Sequence, residues 1–130
     1  MTGSKITLAW QALKATPNLP RSWSAWANDR SCLYVTLPEP DIRPDGRTIP
    51  IWDCNWTNSL NRMTPMCIEQ QTNLRNAIAG KKPIRGFRVE MSKDEENVKM
   101  AHYGRLLPLT IIEQTPWKIV GQTDERIVVS

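Results

Sequence analysis

Residues 81–91, KKPIRGFRVEM, carry the pattern that most restricts the fold, because Phe87, Val89 and Met91 alternate with Arg88 and Glu90. A period of two puts successive side chains on opposite sides of an extended backbone, so this segment reads as a strand. Other segments read the same way. SCLYVTL, residues 31–37, is rich in β-formers, and IPIWDCNWTN, residues 49–58, reads as a further strand. Three apolar pieces near Leu106–Ile112, Trp117–Val120 and Ile127–Val129 are set apart by Pro108, Pro116 and Gly121. Helical spacing occurs twice. Leu8, Ala9, Ala12 and Leu13 mark a short helix ending before Pro17, and Leu74, Ala77 and Ile78 mark a second, with Gly80 as its stop. NLPRSWSAWANDR reads as a loop, PEPDIRPDGRTIP as a long proline-rich loop, and SKDEEN as a charged turn. With no repeats and no linker, residues 1–130 are expected to form a single α+β domain. Its architecture would be a curled mixed sheet or partial β-barrel of about five or six strands with two short helices.

A chain of 130 residues can bury roughly two-thirds of its unfolded surface, so it needs neither disulfide nor metal to fold. Cys32, Cys54 and Cys67 are odd in number and form no C-x-x-C pair. Three free thiols in a reducing compartment are expected, and the location a cytoplasmic one. No run approaches the length of a spanning helix, the N-terminus lacks a signal-like pattern, and no membrane partner is expected. Seventeen basic residues against thirteen acidic ones leave a formal charge of +4. That balance is compatible with a polyanion but does not demand one.

Catalytic patterns are missing from the sequence. A single histidine, His102, rules out multi-histidine metal sites. Phosphate-binding glycine loops and a nucleophile elbow do not occur. A pairing of His102 with one of the thiols competes with the simpler reading of inert cysteines and a hydrogen-bonded histidine. The expectation is a non-enzyme with no cofactor and no metal.

Two features point to binding. GKKPIRGFR concentrates Lys81, Lys82, Arg85 and Arg88 after a helix, where they would reach phosphates or simply form a solvated turn facing the helix's carbonyl end. Arg43 and Arg47 add two cations in the proline-rich loop. For nucleic acid, all six must share one face. In IPIWDCNWTN, strict alternation would place Trp52, Cys54 and Trp56 on one face and Ile51, Asp53 and Asn55 on the other. The tryptophan face reads as core. Asp53 and Asn55 could read the edge of a planar base, with Trp52, Trp23, Trp26 or Tyr34 supplying a stacking wall. Trp56 is expected in the core and Trp52 beside the pocket.

The run TNLRNAIAGKKPIRGFRV followed by AHYGRLLPLTIIEQTPWKIVGQ, within residues 72–122, resembles the latter half of the DNA-reading domains found N-terminal to HNH nucleases in modification-dependent restriction systems. No nuclease module accompanies it. The resemblance implies a reader without a cutter, or the reader portion of a longer protein, with an aromatic cage for a flipped, modified base. The expected function is a non-catalytic DNA-binding module with a basic face and an aromatic base pocket. The alternative is a protein-interaction module, of inhibitor or immunity type, whose exposed tryptophans are the contact points.

Overall fold

The computed structural model describes residues 4–19, 21–57, 60–93 and 98–127. Its strands are β1 (Ser24–Trp26), β2 (Leu33–Pro38), β3 (Thr48–Asp53), β4 (Ile84–Met91), β5 (Val98–Ala101), β6 (Leu107–Gln114) and β7 (Lys118–Thr123). They form one seven-stranded mixed sheet in the order β1-β2-β4-β6-β7-β3, with β5 also paired to β4. The pair β2–β4 is parallel, and every other pairing is antiparallel. The sheet curls into a half-barrel, and with helices α1 (Ser4–Ala12) and α2 (Pro65–Ala79) it makes the expected α+β domain.

Two apolar layers sit on the two sides of this sheet. On one side, Leu33, Val35 and Leu37 of β2 and Ile84 of β4 join Ile49, Ile51 and Trp52 of β3 and Cys67, Leu74 and Ala77 of α2. On the other, Phe87 and Val89 of β4 and Tyr34 of β2 pack with Trp10 of α1 and Ala101 of β5. The Trp10 and Phe87 rings meet edge to face at 5.4 Å. Alternation along β4 thus separates the two layers as its sequence pattern requires.

Helix α2 starts at Pro65, well ahead of Leu74, the first residue whose spacing marked it. Thr64 caps it, its hydroxyl oxygen accepting from the Cys67 N–H at 3.3 Å, and Pro65 occupies the first turn, where its missing N–H costs nothing. At the other end, the Lys82 N–H reaches the Ala77 carbonyl and the Lys81 N–H the Ile78 carbonyl. This closure puts the left-handed residue at Lys81 (φ 53°) rather than at Gly80.

The structure differs from the sequence reading at three further places. Strand β1 occupies the presumed loop at 24–26, held by its pairing to β2 (Ser24↔Val35). Strand β5, a short run with no clear alternation, exists through its pairing to β4. Ile127 is buried but lies in no strand, and residues 128 and 129 of the expected last strand lie outside the described residues.

Strict alternation also fails in β3. Its register against β7 shifts between Pro50 and Trp52. A bulge of this kind turns consecutive side chains to the same side, so Ile51 and Trp52 are both buried in the same layer. The strand ends at Asp53, whose carboxylate accepts the Asn55 N–H at 2.8 Å and starts a turn.

Gly86 of β4 faces Leu37, and a β-carbon there would stand 2.7–2.9 Å from the Leu37 side chain. Leu37 is fully buried and has nowhere to move. Gly86→Ala should therefore lower stability by about 1–3 kcal/mol, measured by urea denaturation, and adding Leu37→Ala should fail to sum with it. Unchanged stability for Gly86→Ala would show that the β2–β4 contact is looser than described.

Candidate anion-binding cleft

Three arginines and a histidine from three separate segments line one cleft of about 320 Å³, together with Gly104, Leu107 and Ile127. Arg88 comes from β4, His102 and Arg105 from the β5–β6 turn, and Arg126 from the segment after β7. The turn is placed by backbone pairing, since the His102 N–H donates to the Arg88 carbonyl at 2.8 Å. Arg126 is placed by two further clips. The Thr123 N–H donates to the Arg47 carbonyl at 2.9 Å, and the Ile127 N–H to the Gly46 carbonyl at 2.7 Å. Gly46 has φ 71°, and the Arg126 side chain lies so close over it that a β-carbon would meet Arg126 Cγ at 2.7 Å.

Asp45 fixes the loop that provides this seat. Its carboxylate accepts the N–H groups of Arg47 (2.9 Å) and Thr48 (2.8 Å) and the Thr48 hydroxyl (2.5 Å). Those hydrogen bonds, the Thr48 hydroxyl first, hold its pKa down at about 2.

Carboxylates balance most of the cleft's charge. Arg88 pairs with Glu39 of the 3-10 turn Glu39–Asp41, with side chains only 15% and 20% exposed. His102 Nε2 lies 2.6 Å from Glu90, and the histidine is the main reason the Glu90 carboxyl sits below its ordinary pKa. Arg105 pairs with Glu125, and both are well exposed. Among the described residues, Arg126 has no carboxylate partner. The cleft therefore holds one uncommitted guanidinium, and a second whose exposed pairing is worth little and is easily exchanged.

The six cations singled out in the sequence do not share a face. Arg85 and Arg88 are three apart on β4, so the pleat turns them to opposite sides. Arg85 is exposed beside its cross-strand neighbour Tyr34, on the α1 side. Lys81 and Lys82 are exposed where α2 closes. Arg88 alone of that cluster reaches the cleft, while Arg43 and Arg47 flank the loop on which Arg126 rests.

The aromatic pocket is not assembled either. Trp52, expected at a pocket wall, is 1% exposed in the core, with the Arg75 guanidinium over its ring at 5.4 Å. Trp56, expected in the core, is the half-buried one, and it meets Trp23 edge to face at 5.8 Å. The Trp26 indole N–H donates to Asn73 at 3.2 Å. Tyr34 sits across the sheet in the other apolar layer, because it alternates with Leu33 and Val35. Asp53 caps its own turn and Asn55 is exposed. Alternation along β2 sends Tyr34 across the sheet, and the bulge in β3 turns Trp52 into the core beside Ile51.

Arg105 and Arg126 were not apparent from the sequence, and His102 read there as a structural residue. AHYGRL, with a histidine and an arginine on either side of a Tyr-Gly turn, was the one local hint. Nothing near Arg126 signals its role, since backbone clips to a loop some eighty residues earlier put it there. No family model, curated protein or solved structure matches the chain. Among the described residues, no helix is long and apolar enough to cross a membrane.

Because the Asp45 pKa is depressed from 3.8 to about 2, its charge stabilises the fold above the unfolded value, and this is lost as pH falls through the folded value. Asp45→Asn should lower the melting temperature at neutral pH, with the gap to wild type closing between about pH 4 and about pH 2. A gap that stays constant over that range would rule out the carboxylate as the loop's anchor.

Proposed function

We propose that this chain is a non-catalytic nucleic-acid-binding module that holds a phosphate of the strand at the Arg88–His102–Arg105–Arg126 cleft. The supporting observation is the convergence of these four side chains on one recess. Arg43 and Arg47 stand on the adjoining loop and extend the cationic surface beside it. Arginine suits this task, since its planar fork donates two parallel hydrogen bonds to phosphate oxygens. The resemblance of residues 72–122 to DNA-reading domains points to the same ligand class. Recognition of a flipped base has less support, because Trp52 is enclosed and Tyr34 lies across the sheet.

A protein-binding role is the second reading, and Trp117 favours it. This side chain is 68% exposed on the β6–β7 turn. The turn itself is pinned, with the Cys54 N–H donating to the Trp117 carbonyl at 2.8 Å and Arg75 donating to the Thr115 carbonyl at 2.9 Å. A rigid, exposed indole is the usual form of an interface anchor.

Salt separates the two readings. DNA affinity should fall steeply between about 50 and about 200 mM salt. Replacing Arg105 and Arg126 together by alanine should weaken binding across sequences and reduce the log–log salt slope by roughly two. The triple replacement of Lys81, Lys82 and Arg85 should leave the slope nearly unchanged. If the triple variant loses the slope and the double variant keeps it, phosphate is held at the α2–β4 end and the cleft assignment is wrong.

A further inference from the structure

We infer that the cleft takes a terminal phosphomonoester, the phosphorylated end of a nucleic-acid strand, in preference to a bridging phosphodiester. This rests on the nucleic-acid reading above and narrows its ligand. A phosphodiester inside a strand needs the chain to enter and leave, which suits cations spaced along an open groove. Here the donors surround a recess instead, with Arg88 on β4, Arg105 and His102 on one turn and Arg126 on another segment. Converging donors match a monoester, which presents three terminal oxygens and a charge of about −1.5 to −2.

Size and lining agree. A volume of about 320 Å³ lies near the lower end of the range for small-ligand sites. It admits a phosphate with its sugar and excludes a duplex. Leu107 and Ile127, both buried members of the core, give the recess an apolar side against which a sugar or base can rest.

Two cations are available without breaking the fold. Arg126 carries no carboxylate partner among the described residues. Glu125, which holds Arg105, is 64% exposed and can be displaced by a stronger anion. Arg88 keeps its less exposed partner Glu39 and contributes by position and field.

The test uses one short single-stranded oligonucleotide in three forms, with a 5′-phosphate, with a 3′-phosphate and with hydroxyls at both ends. Affinity is read by fluorescence anisotropy, and a nucleoside monophosphate and inorganic phosphate serve as competitors. A phosphorylated end should bind about tenfold more tightly than the hydroxyl form, and the monophosphate should compete better than inorganic phosphate. Arg105→Gln and Arg126→Gln should each erase the preference while their melting temperatures stay near wild type. Lys81→Gln with Lys82→Gln should retain it. Glu125→Gln should strengthen it, which gives a gain that no folding defect can mimic. Equal affinity for all three forms would overturn the inference and leave the nucleic-acid reading standing. Monophosphate binding with no oligonucleotide binding would overturn the nucleic-acid reading and leave a free nucleotide as the occupant of the same site.

Discussion

The parallel pairing of β2 with β4 is the constraint on which the rest of the structure depends. Both strands contribute side chains to both apolar layers, so neither layer forms unless this pair is in register. Parallel strands are normally buried on both faces, and β2 shows the corresponding near-continuous burial along LYVTLP. Close approach at one point requires a glycine, Gly86 against Leu37. Once the pair is set, β4 offers its other edge to β6 along its first half and to β5 along its second. That division places the β5–β6 turn, with His102 and Arg105, beside Arg88.

The cleft is thus a consequence of topology more than of any local motif. Three backbone hydrogen bonds seat its parts, from His102 to Arg88, Thr123 to Arg47 and Ile127 to Gly46. The proline-rich loop serves as the seat for Arg126, and Asp45 stiffens it through three accepted hydrogen bonds. Exposed ion pairs contribute little to stability. The Arg105–Glu125 pair, well exposed on both sides, therefore adds little to the fold.

Much of the fold could be read from the chain because burial imposes a period on it. IRGFRVEM is amphipathic at a period of two and became β4, and LRNAI is spaced for a helix and became part of α2. Strands β1 and β5 escaped because each is short and defined by its neighbour rather than by its own pattern. The stretch IPIWDCNWTN misled for a different reason. Alternation assumes an unbroken ladder, and the bulge between Pro50 and Trp52 inverts the faces beyond it. The candidate site was the least legible part. Arg88 belonged to a visible cluster, yet the pleat divides that cluster, and its actual neighbours come from positions 102, 105 and 126. Their meeting depends on tertiary contacts that no local window contains.

On the proposed reading, phosphate sits at the end of the sheet where β4, the β5–β6 turn and the segment after β7 meet. Backbone amide chemical shifts during a titration with a short 5′-phosphorylated oligonucleotide test it most directly. The largest changes should fall on Arg88, His102, Gly104, Arg105 and Arg126, with Arg47 following through its clip to Thr123. Changes confined to Lys81, Lys82 and Arg85, or centred on Trp117, with these five residues unmoved, would contradict it.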